Sequence, residues 1–227
     1  MAWKRWEELP PNLRTEAVRP YYDALDRRRG SLAAKRLFDI VMAAVLLVLL
    51  SPVLLILAVA VRLDSPGPVI FRQVRVTQYG REFRICKFRT MVADAQRRGT
   101  LVTTKGDSRV TRVGKLLRGC RLDELPQLWN ILKGEMSFVG TRPEVPRYVA
   151  GYTPEMWATL LLPAGVTSVA SIQYKDEDQL LENAADADQV YLEQVLPAKM
   201  AYNLSYLREF SLAKDWKTML DTVRAVL

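Results

Sequence analysis

Asp123 and Glu124 stand side by side, with Arg118 and Arg121 just before them and Leu125-Pro126-Gln127-Leu128-Trp129-Asn130 just after. Adjacent carboxylates near arginines suit two kinds of chemistry. One is nucleophilic attack by a carboxylate, and the other is retention of a hard divalent cation together with phosphate oxygens. The chain has no histidine. A Ser-His-Asp or Cys-His nucleophile, a histidine base and a His-ligated zinc are therefore excluded. The two cysteines, Cys86 and Cys120, cannot build a structural zinc site alone, and they form no disulfide framework, which fits a reducing compartment.

The dyad needs a positioning element. Pro126 suits the first turn of a helix and Gly134 its end, with Leu125, Leu128, Trp129 and Leu132 on one apolar face. Asp123 and Glu124 then sit at a helix N-terminus, where free N–H groups, the macrodipole and the nearby arginines favour the ionised form. A purely structural alternative is open: Asp123 as an N-cap and Glu124 as a first-turn acid. Upstream, strands are expected over Val69–Val76 and Glu82–Phe88, joined by a turn at Gln78–Arg81. A short helix over Ala93–Arg98, a loop to Asp107 and a helix from Val113 follow.

Ile40–Val61 is a run of 22 residues without a charge. As a helix it extends about 33 Å, the thickness of a bilayer's hydrocarbon core. Ser51-Pro52 breaks it in the middle, and proline there forces a kink. Both flanks are strongly basic, so a spanning topology exports a basic flank whichever way it points. A re-entrant hairpin that enters and leaves by one face avoids that conflict. Between Arg62 and Gly119 fourteen Lys and Arg face four Asp and Glu, a net of +10 in 58 residues. Such a block calls for phosphate groups or anionic lipid headgroups. Nucleic acid is not expected, because no base-reading motif accompanies it.

Trp3, Trp6, Leu9 and Leu13 recur among basic residues and read as a membrane-surface element. Met156–Leu162 fits either a membrane interface or ordinary core. Leu212, Trp216, Met219, Leu220, Val223 and Leu227 form a stripe expected to pack in the core. The chain thus divides into an N-terminal interfacial extension (1–34), a re-entrant membrane helix (35–63) and a cytoplasmic domain (64–227). The fold class is α+β, with surface helices and a short β-hairpin around the dyad.

Several ordered motifs resemble the bacterial sugar transferase family, the monotopic polyprenyl-phosphate phosphoglycosyl transferases. They are Lys35-Arg36-Leu37-Phe38-Asp39, Ser51-Pro52, Lys87-Phe88-Arg89-Thr90-Met91, Leu122 to Asn130, Leu132-Lys133-Gly134 and Arg142-Pro143-Glu144. The resemblance implies transfer of a sugar 1-phosphate from a UDP-sugar to polyprenyl phosphate, with release of UMP, at the cytoplasmic face of the bacterial inner membrane. Products would pass to downstream glycosyltransferases. It further implies Asp123 as a nucleophile forming a covalent phosphosugar, and Glu124 as the carboxylate associated with Mg2+. Lys87, Arg118, Arg142, Pro143, Glu144 and Lys175 become substrate-binding positions, and Ser51-Pro52 the membrane break.

Two departures bear on the sugar. Thr141 replaces a common proline, and Pro163 to Lys175 differs from the usual pattern, with Lys175 where an arginine is common. A membrane-anchored scaffold using the basic block to recruit anionic partners is the non-enzymatic alternative.

Overall fold

The computed structural model describes residues 3–92, 94–95, 107–174 and 187–226. Most of the helix and loop expected over 93–107, the position of Lys175 and the acidic stretch 176–186 lie outside them.

The long apolar run folds as two helices, α2 (Arg29–Leu49) and α3 (Ser51–Asp64), bent by 64° at the break. Pro52 lies in the first turn of α3, where its missing N–H costs nothing, and Ser51 Oγ donates to Val48 O at 2.7 Å. Among the described residues no single helix is long and apolar enough to cross a membrane; this bent pair is the one candidate. Its outer faces are bare hydrocarbon. Val48, Leu49, Leu55, Ile56 and Leu63 are all exposed, Leu63 by 82%.

A first helix, α1 (Arg19–Asp26), precedes the pair. After it come strands β1 (Ile70–Val76) and β2 (Glu82–Phe88), antiparallel, with Ile70 opposite Phe88 and Val76 opposite Glu82. The hairpin agrees with the sequence reading to within a residue. Helices α4 (Arg112–Gly119) and α5 (Gln127–Lys133) flank the dyad, and Gly134 ends α5 at φ 78°. A second sheet was not foreseen. It pairs β3 (Met136–Val139) in parallel with β4 (Ala164–Thr167). Gly140 and Gly165 meet there so closely that a Cβ on Gly165 would lie 2.2 Å from Gly140 N. The remaining helices are α6 (Pro146–Val149), α7 (Val169–Gln173), α8 (Ala187–Val190), α9 (Leu196–Arg208) and α10 (Leu212–Val226), with a π turn, Tyr191–Val195, joining α8 to α9.

Arginines tie the bent pair to this frame. Arg36 donates to the carbonyls of Ile131 (2.6 Å) and Leu132 (2.9 Å) near the end of α5. Arg89 does the same past α3, at Ser65 O (2.6 Å) and Pro66 O (2.5 Å). Helix C-termini leave carbonyls unpaired and partly negative, so a guanidinium fork both satisfies and neutralises them. Lys35 and Asp215 form a buried ion pair at 2.6 Å between α2 and α10.

Two expectations about apolar surface are corrected, and one open alternative is decided. The N-terminal segment lies on the protein: Leu9, Leu13, Val18, Tyr21, Tyr22 and Leu25 join the largest core cluster with Leu160, Leu161, Leu207 and Phe210. Trp3 stacks on Tyr22 and donates its indole N–H to Asp26. Leu160–Leu162 are likewise core. The stripe on α10 does the reverse over most of its length: Trp216, Leu220 and Val223 are exposed, while Asp215 and Thr218 face inward and only Leu212 of the stripe packs against the main core among the described residues. An apolar stripe demands cover but does not name it, and here the buried side is fixed by the Lys35 and Tyr206 bonds to Asp215.

Leu13 is fully buried. Leu13→Ala is expected to lower unfolding stability by about 2–4 kcal/mol in denaturant titrations. A membrane-lying leucine would leave that stability unchanged and weaken only vesicle binding.

Candidate active site

Asp123 and Glu124 lie in a 3-10 turn, Leu122–Glu124, between α4 and α5. Arg121 enters this turn in the left-handed region at φ 52° and ψ 21°, a conformation that costs a non-glycine residue about 1 kcal/mol or more. Neither acid caps α5, whose N-cap is Pro126. The capping alternative for Asp123 therefore has no bond to rest on.

Asn130 holds the turn against the hairpin. Its Oδ1 accepts from Cys86 N at 2.9 Å, and its Nδ2 donates to Arg84 O at 2.9 Å and to Glu135 Oε2 at 2.7 Å. The carboxamide thus imitates a neighbouring strand along β2. The predicted apolar face of α5 is rotated accordingly: Gln127, Leu128, Asn130 and Ile131 are buried, and Trp129 is exposed.

Alignment along β2 brings Lys87 to Glu124. Lys87 Nζ donates to Glu124 Oε1 at 2.8 Å, and Arg142 Nη2 donates to the same oxygen at 2.7 Å. Burial alone would raise the Glu124 carboxyl; Arg142 and Lys87 outweigh it and hold the group well below the usual carboxylate range. Burial pushes the Lys87 ammonium down, against the pull of Glu124.

Asp123 behaves differently. It is buried, and among the described residues its carboxylate has no hydrogen bond or ion pair. Burial pushes it up and Glu124 adds to the rise, while Lys87, Arg118 and Arg142 oppose. The direction is opposite to that expected from a helix N-terminus.

Of the other expected positions, Arg118 donates to Thr90 Oγ1 at 2.9 Å, at the edge of the cluster. Pro143 and Glu144 are buried behind Arg142. Pro143 O accepts from Arg75 Nη1 at 3.0 Å, and Glu144 takes Tyr191 OH at 2.5 Å and faces Arg75 at 3.9 Å. Their contacts are internal, fixing the backbone that carries Arg142. Arg75, Asn130 and Tyr191 escaped the sequence reading. Asn130 alone carried a signal, as a polar residue inside an apolar helix. The buried Thr141 hydroxyl has no hydrogen-bond partner among the described residues.

Among the described residues no three His, Cys, Asp or Glu side chains gather into a metal cage. What the chain offers is Glu124 Oε2, which accepts only a long bond from Arg142 Nη1 (3.5 Å) among the described residues, beside Asp123. This donor set fits a hard cation that draws most of its ligands from phosphate oxygens and water.

A buried carboxylate pair, with Lys87 and Arg142 on one member and Arg118 at its edge, is an arrangement suited to phosphate chemistry. Residues 30–227 match the model of the bacterial sugar transferase family, and the chain belongs to that family. It is 39% identical over 197 residues to a UDP-N-acetylgalactosamine-undecaprenyl-phosphate N-acetylgalactosaminephosphotransferase of Aeromonas hydrophila, covering 85% of this chain and 43% of the relative. Against a UDP-glucose:undecaprenyl-phosphate glucose-1-phosphate transferase of Caulobacter vibrioides the identity is 37%, covering 85% and 69%. Against the protein of that name from Escherichia coli K12 it is 38%, covering 83% and 39%. The chain thus spans less than half the length of two of these three relatives.

The clamp yields a stability prediction. Glu124→Gln leaves the half-buried Lys87 and Arg142 facing each other, and is expected to cost about 2–3 kcal/mol in chemical unfolding, allowing for their partial exposure. Adding Lys87→Met should recover part of that loss in a double-mutant cycle. Because the folded Glu124 titrates below its unfolded value, the wild-type contribution persists above the unfolded value and fades as pH falls through the folded one.

Proposed function

We propose that this protein transfers a sugar 1-phosphate from a UDP-sugar to a polyprenyl phosphate and releases UMP, opening the assembly of a bacterial glycoconjugate. The observation that carries the reading is Asp123: buried, unbonded among the described residues and set beside a glutamate that two cations already neutralise. A carboxylate with no partner is a free nucleophile, whereas one locked like Glu124 is not.

In the first step an Asp123 oxygen attacks the phosphorus that bears the sugar. The bond from that phosphorus to the bridging oxygen breaks, and UMP leaves with the bridging oxygen. In the second step an oxygen of the lipid phosphate attacks the same phosphorus, the bond to Asp123 breaks, and the carboxylate is restored. Lys87, Arg118 and Arg142 hold the negative oxygens and prevent anion from repelling anion. Glu124 fixes Lys87 and Arg142, and its second oxygen would hold Mg2+. That ion, when bound, would neutralise the diphosphate. The departures at Thr141 and Pro163–Lys175 bear on which sugar is accepted, and the relatives' names already include both N-acetylgalactosamine and glucose.

The bent pair α2–α3 supports a re-entrant insertion with both ends on the cytoplasmic face, because its exposed hydrocarbon and basic flanks need lipid and one aqueous side together. The bare apolar face of α10 lies at the same interface in this reading.

Four outcomes test the chemistry. Asp123→Asn should abolish UMP release. Since burial raises this aspartate, its ionised form destabilises the fold as pH rises through the folded value, so the same variant should hold or gain thermal stability at neutral pH. Wild-type turnover by Asp123→Asn would end the proposal. The acid limb of kcat/KM should lie above the ordinary aspartate value, as a pH profile between 4 and 8 would show, roughly the range over which carboxylates shifted by burial titrate. Intact-protein mass spectrometry of a quenched reaction should find the phosphosugar adduct on the wild type only.

A further inference from the structure

A cavity of about 230 Å3 opens beside the dyad, between the bend of the helix pair and the second sheet. Leu46 and Leu50 from the bend, Leu128 from α5, and Val166 and Ile172 from β4 and α7 make it apolar. Among the described residues its charged lining residues are Glu124 and Arg121. Glu124 is already neutralised by Lys87 and Arg142. The Arg121 side chain has no hydrogen bond or ion pair among the described residues, and its backbone is held in the left-handed region immediately before the dyad. Among the described residues the cavity therefore presents one unpaired positive charge at the end of a hydrocarbon wall.

That chemistry selects a ligand. A nucleotide sugar has no apolar body to fill such a space, and free phosphate would leave it empty. A phosphate monoester with a hydrocarbon tail satisfies both parts. A cavity of about 150 Å3 takes up a benzene, so this one accommodates several branched carbons next to the headgroup. We propose that Arg121 binds the phosphate of the lipid acceptor, with the head-proximal carbons of its chain seated against Leu46, Leu50, Val166 and Ile172. The assignment rests on the transferase reading above and adds the residue that recognises the second substrate.

The test uses the full chain in detergent micelles, with undecaprenyl phosphate and a UDP-sugar that supports UMP release. Arg121→Gln should raise the KM for the lipid phosphate about tenfold or more, as loss of a charged hydrogen bond does, and shift the KM for the UDP-sugar less than about twofold. Arg121→Lys should lie between the two. Arg121→Gly relieves the positive φ while removing the cation, so it should match Arg121→Gln with an unchanged melting temperature, which separates binding from folding. Decyl phosphate should compete with the acceptor on the wild type and weakly on Arg121→Gln, and inorganic phosphate should compete poorly on both.

An unchanged acceptor KM in both the Gln and Gly variants overturns the proposal. So does inorganic phosphate competing as well as decyl phosphate, and so does a loss confined to binding of phosphatidylglycerol vesicles, which would mark Arg121 as a bulk-headgroup contact. If the wild type releases no UMP from any UDP-sugar, the transferase reading fails. Calorimetric titration with decyl phosphate then still decides the Arg121 site, because binding by the wild type and not by Arg121→Gln supports it and equal binding sinks it.

Discussion

Glu124 shares one carboxylate oxygen between an ammonium on β2 and a guanidinium beyond β3. Those cations arrive from positions 37 residues upstream and 18 downstream, so the hairpin and the parallel pair must both be in register before the carboxylate is neutralised. A buried carboxylate with neither partner would be protonated or expelled. The fold around the dyad is therefore largely an apparatus for delivering two positive charges to one point. Asn130 aligns α5 with β2, Arg75 and Glu144 fix the backbone behind Arg142, and Arg36 and Arg89 secure the bent helices to the same frame.

Asp123 draws its character from its neighbour. With Lys87 and Arg142 drawn onto Glu124, the adjacent acid is left largely buried, with charge nearby but no bond of its own among the described residues. Such a group is unstable as an anion and available as one. Stability and reactivity pull in opposite directions at this residue, a pattern common where a fold tolerates local cost for function.

The hairpin was legible because alternation and a Gly80 turn left few other solutions, and α5 because proline and glycine bracket it. The dyad was legible as a pair of acids, and as a site mainly through its motif context. What escaped was the identity of covering surfaces. Leu9 and Leu13 needed an apolar partner, and nothing in their spacing distinguished lipid from Leu160 and Phe210. On α10 the pattern pointed the wrong way, because Asp215 is drawn inward by Lys35 and Tyr206, and a buried ion pair between residues 180 apart leaves no local trace. Arg75 and Tyr191 act across the same kind of distance.

The crossing of Gly140 and Gly165 limits how this architecture can diversify. The Gly140 backbone fills the volume a methyl group on Gly165 would need, and Pro163 O does the same for one on Gly140, so neither position can take even alanine without prising the parallel pair apart and dragging Arg142 away from its carboxylate. Inherited or engineered variation must therefore accumulate on either side of this contact, in the arms that leave it, and the crossing itself serves as a fixed pivot around which a pocket wall can be rebuilt.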